Sequence, residues 1–277
     1  MRTSSRIPRI SGGASRDLPP VKFGFCTDLH YADRPTSGAN TRYYRDAPDK
    51  LGDIVEALKD DTLSFFLFCG DLIDHAGLSK EQAKTDLEYI ESVFAAINQR
   101  RRFVFGNHCL DALSKSEFME HVPMEAGYYS WDIGGMHFVV LDACYYDDDD
   151  DAHYDSGNFV HTDTWIPPAQ RSWLVDDLAA TDLPTIVFCH QRLSAEGGHW
   201  LNNAAQVRGI LASSGRLIGV FDGHSHVNAY EVVNGIPFYT MMAATEDPYP
   251  TNAWAVITVY PSTGVIEVDG RGQQTSY

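Results

Sequence analysis

Five short clusters combine carboxylate, imidazole and amide side chains: Thr27-Asp28-Leu29-His30, Gly70-Asp71-Leu72-Ile73-Asp74, Gly106-Asn107-His108, His190-Gln191 and Gly223-His224-Ser225-His226. Each closes an apolar run of strand length, VKFGFCT, SFFLFCG, RRFVFG, PTIVFCH or RLIGVFDG. A polar cluster in that position lies outside the carboxyl end of a strand, which is where open α/β sheets bind ligands. Five such clusters in succession are expected to face one site. Glycine precedes three of them, allowing tight turns and close backbone approach. Carboxylate oxygen, imidazole nitrogen and amide oxygen form a donor set suited to Mn²⁺, Fe or Zn²⁺, and there are enough of them for two divalent ions. Two ions need a bridge. A carboxylate with two oxygens spans metals roughly 3.5 to 4 Å apart, and Asp71 is the natural candidate. Such a pair makes hydroxide from a bridging water at neutral pH and neutralises charge on phosphoryl oxygens.

The elements that must position these groups follow from periodicity. Between the first two strand runs, Leu51, Ile54, Val55 and Leu58 recur at helical spacing behind Asp46 and Pro48, which suit a helix start. A second helix follows Ser79, where Ser79 and Gln82 form a capping-box pattern and Leu87, Ile90, Phe94 and Ile97 form the buried stripe. Pro167 and Pro168 open a third, carrying Trp173, Leu174 and Leu178, and a fourth runs from about Asn203 to a stop at Gly215. YYSWDI-GG-MHFVVLDA and AYEVV-NG-IPFYTMMA each place a two-residue turn between alternating strands and read as hairpins. The sum is an α/β arrangement, a large mixed β core with helices on its outer faces. Residues 1–20 are rich in Ser, Arg, Gly and Pro and read as a disordered leader, with 21–277 as a single domain.

Composition narrows the partners. No apolar run approaches membrane-spanning length, so a soluble chain is expected. The formal charge of −17 argues against a nucleic-acid backbone as bulk partner and for a small-molecule substrate. Five cysteines without CxxC spacing read as buried thiols in a reduced, cytoplasmic setting.

In this order, Asp-x-His, Gly-Asp-x-x-Asp, Gly-Asn-His, a lone His and Gly-His-x-His resemble the calcineurin-like metallophosphoesterase superfamily. The resemblance implies a four-layer α/β/β/α fold, two facing mixed β-sheets flanked by helices, with the metal site at the C-terminal ends of the strands. It implies one metal on Asp28, His30, Asp71 and His226 and the other on Asp71, Asn107, His190 and His224. Asn107 then helps to hold the phosphoryl group, and His108 is the acid beside the leaving group. The implied activity is dinuclear-metal-dependent phosphoester hydrolysis by a metal-bridging hydroxide. The family often has Asp or Glu after Gly-Asn-His, whereas this chain has Cys109, so a carboxylate orienting His108 comes from Asp74 or Asp111 or is absent.

Thr-Asp-Leu-His-Tyr-Ala-Asp followed by Thr41 to Arg45, with FVVLDA later, resembles the branch containing manganese-dependent ADP-ribose/CDP-alcohol diphosphatases. That branch's best-known members have Gln at the place of His30, so this chain keeps a fuller ligand set. The implied substrate is a nucleotide-type diphosphate or phosphodiester. A phosphomonoesterase with the same site, or a metal-retaining scaffold without turnover, is the alternative. Arg42 or Arg45 is a candidate to grip a second phosphate, against simple surface pairing with Asp46 or Asp49. The aperiodic, Asp- and Tyr-rich segment 144–166 reads as a lid or specificity loop, or else as a solvated acidic loop. His153 and His161 within it are candidates for an extra cation, and His199 has no assigned role.

Overall fold

The computed structural model of the chain describes residues 18–36, 42–97 and 100–277. Residues 1–17 of the expected leader, and Thr41 of the Thr-Arg-Tyr-Tyr-Arg stretch, lie outside the described residues. The strands are β1 (Val21–Cys26), β2 (Phe65–Cys69), β3 (Arg101–Val104), β4 (Tyr129–Ile133), β5 (Met136–Leu141), β6 (Thr185–Cys189), β7 (Leu217–Asp222), β8 (Ala229–Val233), β9 (Ile236–Thr240), β10 (Ala253–Tyr260) and β11 (Val265–Gly272). The helices are α1 (Ala47–Leu58), α2 (Lys80–Phe94), α3 (Lys115–Met119), α4 (Pro168–Ala179) and α5 (Ala204–Ser214).

Period-two alternation decides the layering. In β1 and β2, Phe23, Phe25, Phe65, Leu67 and Cys69 face one way, and Cys26, Phe66 and Phe68 face the other. Both faces are apolar, so both need cover. One sheet runs β11-β10-β1-β2-β3, with β1, β2 and β3 parallel, and the other runs β4-β5-β6-β7-β9-β8, with β5, β6, β7 and β9 parallel. The sheets face each other across an aromatic layer. Phe23 stacks on Phe65 at 4.7 Å within its own sheet and meets Phe138, Phe188 and Phe221 of the other edge-on at 5.8, 5.7 and 6.3 Å. Outside, α1 and α2 cover Phe66 and Phe68 with Leu51, Ile54, Leu87 and Phe94. On the opposite side α4 and α5 cover Val139, Leu141 and Val187 with Leu174, Leu178 and Val207. Each such side chain contributes about 1.5–3 kcal/mol on burial. The result is the four-layer α/β/β/α fold. No helix among the described residues is long and apolar enough to cross a membrane.

Two local features depart from the sequence reading. At α2 the Ser79 hydroxyl accepts from the Gln82 N–H at 3.2 Å, but the Gln82 amide donates to Asp86 at 2.7 Å, so the reciprocal half of the capping box is not made. The complete box is at α3, between Ser114 and Glu117. The strands β10 and β11 are additions to the expected set. β10 is mostly buried and apolar, so it lacks a clean alternation, while β11 carries Glu267, Asp269 and Arg271 along the sheet edge.

Candidate metal centre and its cleft

The loops leaving β1, β2, β3, β6, β7 and β9 meet at one edge of the two sheets. Asp28, His30, Asp71, His224 and His226 all have left-handed backbones, with φ of 53°, 52°, 54°, 64° and 56°. For non-glycine residues that conformation costs about 1–3 kcal/mol each and persists only where the surroundings over-determine it. Here neighbouring loops bind each other's backbones: Asp28 N–H donates to Gly70 O at 3.0 Å, His30 N–H to Asp71 O at 2.9 Å and Thr245 N–H to Asp28 O at 3.0 Å. The glycines make this approach possible. A Cβ at Gly70 would strike the His190 ring, one at Gly106 would strike Asp71, and one at Gly223 would strike Thr27 and Asp28.

The side chains then leave their donor atoms facing inward. Asp28 Oδ2 accepts from the Thr27 hydroxyl at 2.6 Å and from the His224 N–H at 3.1 Å, while Oδ1 is buried without a partner. His30 Nδ1 donates to Asp74 at 3.1 Å and His226 Nδ1 donates to Glu246 at 2.6 Å. Both rings therefore turn Nε2 toward the centre. These two nitrogens are 3.1 Å apart, and they lie 3.7 and 3.2 Å from Asp28 Oδ1. Ligands about 2.1 Å from one ion are about 3.0 Å apart at right angles and about 3.4 Å apart at the tetrahedral angle. Two of the three separations fall in that range, and the third, 3.7 Å, corresponds to an angle of about 120°.

A second group lies beside the first. His190 Nδ1 donates to Cys69 O at 2.7 Å, and its Nε2 is buried 3.1 Å from Asp71 Oδ2. His190 Nε2, His224 Nε2 and Asn107 Oδ1 have no hydrogen-bond partner. Asp71 differs from the expectation of a bridge through two oxygens, because Oδ1 accepts the His108 N–H at 2.7 Å. Only Oδ2 is left to face both groups, 3.7 Å from His30 Nε2 and 3.1 Å from His190 Nε2. Buried, unpartnered oxygen and nitrogen donors at this spacing fit divalent cations.

Charge is arranged to match. Burial disfavours ionisation of Asp28 and Asp71, yet the protonated rings of His190 and His226 around Asp28, and of His190 and His108 around Asp71, hold both carboxyls well below the usual range. Burial likewise opposes charge on His190 and His226, but Asp71 and Asp28 outweigh it and raise each to about 9. Burial beside His190 keeps His224 neutral, well below its ordinary range. Without metal, protons do the work of cations here.

A cleft of about 300 Å³ opens over the centre, lined by Arg42, His108, His161, His199 and Glu246 as well as the inner groups. His108 Nδ1 donates to Asp111 at 2.7 Å, with Asp74 farther off at 3.6 Å, so Asp111 supplies the carboxylate that Cys109 does not. Arg42 Nη1 donates to Asp74 at 2.6 Å and lies 3.1 Å from His108 Nε2. Arg45 is not brought to the cleft: it pairs with Asp33 at 2.8 Å, its side chain 57% exposed. Sequence reasoning also missed Glu246, which sits in a loop after β9 with no motif around it. His161 and His199 form the opposite rim, their ring centres 5.9 Å apart and 6.5 and 5.6 Å from that of His224. His161 belongs to segment 144–166, which is anchored by buried Tyr154: its ring stacks on Phe159 at 3.9 Å and its hydroxyl donates to Asp163 O at 2.7 Å. His153 bridges to Tyr145 in the same segment and does not line the cleft.

The calcineurin-like phosphoesterase family model matches residues 21–228. The chain belongs to that family. This phosphoesterase is 26% identical over 294 residues to a manganese-dependent ADP-ribose/CDP-alcohol diphosphatase of rice, Oryza sativa subsp. japonica, covering 90% of this chain and 91% of that protein. A dimetal phosphatase from Danio rerio superposes with a TM-score of 0.79 at 20% identity, covering 93% of this chain and 98% of the other. A purple acid phosphatase from yellow lupin, Lupinus luteus, superposes with a TM-score of 0.59 at 14% identity, covering 93% of this chain and 53% of the other. The two structural likenesses speak to the fold. Family and donor geometry together make this protein a phosphoester hydrolase with a site for two divalent ions.

Proposed function

We propose that the phosphoesterase cleaves small nucleotide-type diphosphates and works with manganese in the cytoplasm. Asp28, His30, Asp71 and His226 would hold one ion, and Asp71, Asn107, His190 and His224 the other. The observation that carries the substrate reading is Arg42, whose Nη1 lies 3.1 Å from His108 Nε2. A guanidinium beside the proton donor marks the leaving-group end as a place for a phosphate. The name of the rice relative agrees with that reading, and five buried, unpaired cysteines agree with a reducing compartment.

When bound, the two ions supply an activated water and neutralise charge on the phosphoryl oxygens. The remaining steps belong to the chain's own groups. Asn107, buried at the mouth of the centre, orients the phosphoryl group. His108, fixed through Nδ1 by Asp111, delivers a proton from Nε2 to the leaving oxygen. Arg42, braced by Asp74, holds the departing phosphate by charge-assisted hydrogen bonds. His161 and His199 border the substituent that stays on the attacked phosphorus. A phosphomonoesterase would leave the Arg42 end without a ligand, and a scaffold without turnover would give the His108–Asp111 pair no task.

The test is a panel of ADP-ribose, CDP-choline, bis-p-nitrophenyl phosphate and p-nitrophenyl phosphate with Mn²⁺-loaded protein. The expected result is a kcat/KM for the two diphosphates at least about tenfold above that for the aryl phosphates. Preference for p-nitrophenyl phosphate would replace the diphosphate reading with the monoester one. No hydrolysis anywhere on the panel would leave only the scaffold.

A further inference from the structure

Lys50, the fourth residue of α1, is buried to 0% exposure. Lysines are almost never fully buried without compensation, and an ammonium offers three donors and no acceptor. Lys50 directs Nζ at three backbone carbonyls of one short loop: Ala244 O at 2.6 Å, Glu246 O at 3.2 Å and Asp247 O at 2.7 Å. Its own carbonyl accepts from the Asn252 amide at 2.8 Å, which ties α1 to the far end of the same connection.

That loop carries Glu246, whose carboxylate accepts from His226 Nδ1 at 2.6 Å. The loop's backbone also grips the first metal motif, since Ala244 N–H donates to Thr27 O at 3.1 Å and Thr245 N–H to Asp28 O at 3.0 Å. A helix that lines no part of the cleft therefore reaches, through one side chain, the segment that orients two inner groups. The arrangement is costly. Burial pushes the Lys50 ammonium down to about 8, and an apolar side chain of similar length would avoid that penalty. What an apolar side chain would lack is donors for three inward-pointing carbonyls. Those carbonyls flank Glu246, and their direction sets where its carboxylate points.

We propose that Lys50 is a positioning residue for the metal centre, fixing the Glu246 loop so that its carboxylate holds His226 with Nε2 free to bind metal. The proposal rests on the assignment of His226 as a ligand. Carboxylates behind a ligating imidazole fix its tautomer, and their loss typically costs 10- to 100-fold in metal affinity.

The experiment is calorimetric titration of the chelator-stripped full chain with Mn²⁺. Two binding steps in the parent are expected, and none would overturn the ligand assignment itself, separately from Lys50. Lys50→Met is expected to weaken one step by about 10- to 100-fold and leave the other unchanged. Glu246→Ala should weaken the same step, and the double variant should bind no more weakly than Glu246→Ala alone, because both changes break one chain of contacts. Additive losses, equal loss on both steps, or a lower melting temperature with both steps intact would each overturn the proposal. Lys50→Gln, which keeps two N–H donors, covers the case in which Lys50→Met does not fold. If neither variant folds without metal while the parent does, Lys50 serves the fold alone and the proposal fails.

Discussion

The two halves of the metal centre are built differently. In the half containing Asp28, His30 and His226, each imidazole donates Nδ1 to a carboxylate, Asp74 at 3.1 Å and Glu246 at 2.6 Å. In the half containing Asn107, His190 and His224, the support behind His190 is neutral, the Cys69 carbonyl at 2.7 Å from its Nδ1. A carboxylate makes the imidazole in front of it a more basic ligand than a backbone carbonyl does. The first half also adds the whole charge of Asp28, where the second has the neutral amide of Asn107. With the ligands assigned as proposed, the first half is expected to retain its ion and the second to exchange it. In a chelator series on the Mn²⁺-loaded protein, one equivalent is expected to leave well before the other.

Asp71 is common to both halves, so its loss should erase the comparison altogether. Asp71→Asn is expected to weaken both ions and nearly abolish turnover, read by elemental analysis beside kcat/KM. Two metals per chain with most of the activity retained would show that Oδ2 of Asp71 joins nothing. His108 tests the converse, because the proposed assignment makes it the proton donor and a ligand of neither ion. His108→Ala should keep two metals per chain and lose about 10²- to 10⁴-fold in rate on ADP-ribose, with a smaller loss on p-nitrophenyl phosphate, whose leaving group needs no proton.

How much of this the sequence disclosed follows from the length scale of each interaction. Asp28 with His30, and His224 with His226, are local pairs at strand ends, and the left-handed backbones and glycines that set them are local too. They were legible. The strands carrying them were legible because two apolar faces allow few alternatives. Glu246 was not, since its meaning comes from a contact with a residue 20 positions away. Lys50 was not, because nothing in APDKLGD distinguishes a buried ammonium from a solvated one. His161 and His199 come from two unrelated loops, and only the fold makes them neighbours. Arg42 and Arg45 looked equivalent in the sequence, and a difference of three positions around a tight 3-10 turn sends one into the cleft and the other to solvent.

That last pair gives the next test. If Arg42 grips the phosphate that is not attacked, Arg42→Ala loses a charge-assisted contact of roughly 1.5 to 3 kcal/mol, or about 10- to 150-fold in kcat/KM, on ADP-ribose and CDP-choline. Hydrolysis of p-nitrophenyl phosphate by the same variant should fall far less, so loss of metal or fold cancels within one protein. Arg45→Ala, whose exposed partner is Asp33, should change neither. Equal losses on both substrate types would place Arg42 with the metal halves and leave the leaving-group end unread.

The smallest expected effect concerns protons. In the metal-free protein, Asp71 and Asp28 raise His190 in one half, and Asp28 raises His226 in the other, each to about 9 against burial. A histidine whose folded pKa is raised adds stability that is fully present below its ordinary value of about 6.5 and is lost as pH climbs through the folded value. The melting temperature of the stripped protein should therefore fall between about pH 6.5 and 9. In the Mn²⁺-loaded protein the cations replace those protons, so its melting temperature should vary much less over the same window. Loading at neutral pH should then release about two imidazole protons per chain, one from each half, in addition to the proton lost by the activated water, measurable by calorimetry in buffers of different ionisation enthalpy. If the melting temperature of the stripped chain is flat from pH 6.5 to 9, the two imidazoles are not held charged by Asp28 and Asp71. If only one imidazole proton is released, the halves differ in charge state as well as in their supports, and the half that releases it can be found by repeating the measurement on Glu246→Gln, which removes the carboxylate beside His226 and leaves the groups that raise His190 in place.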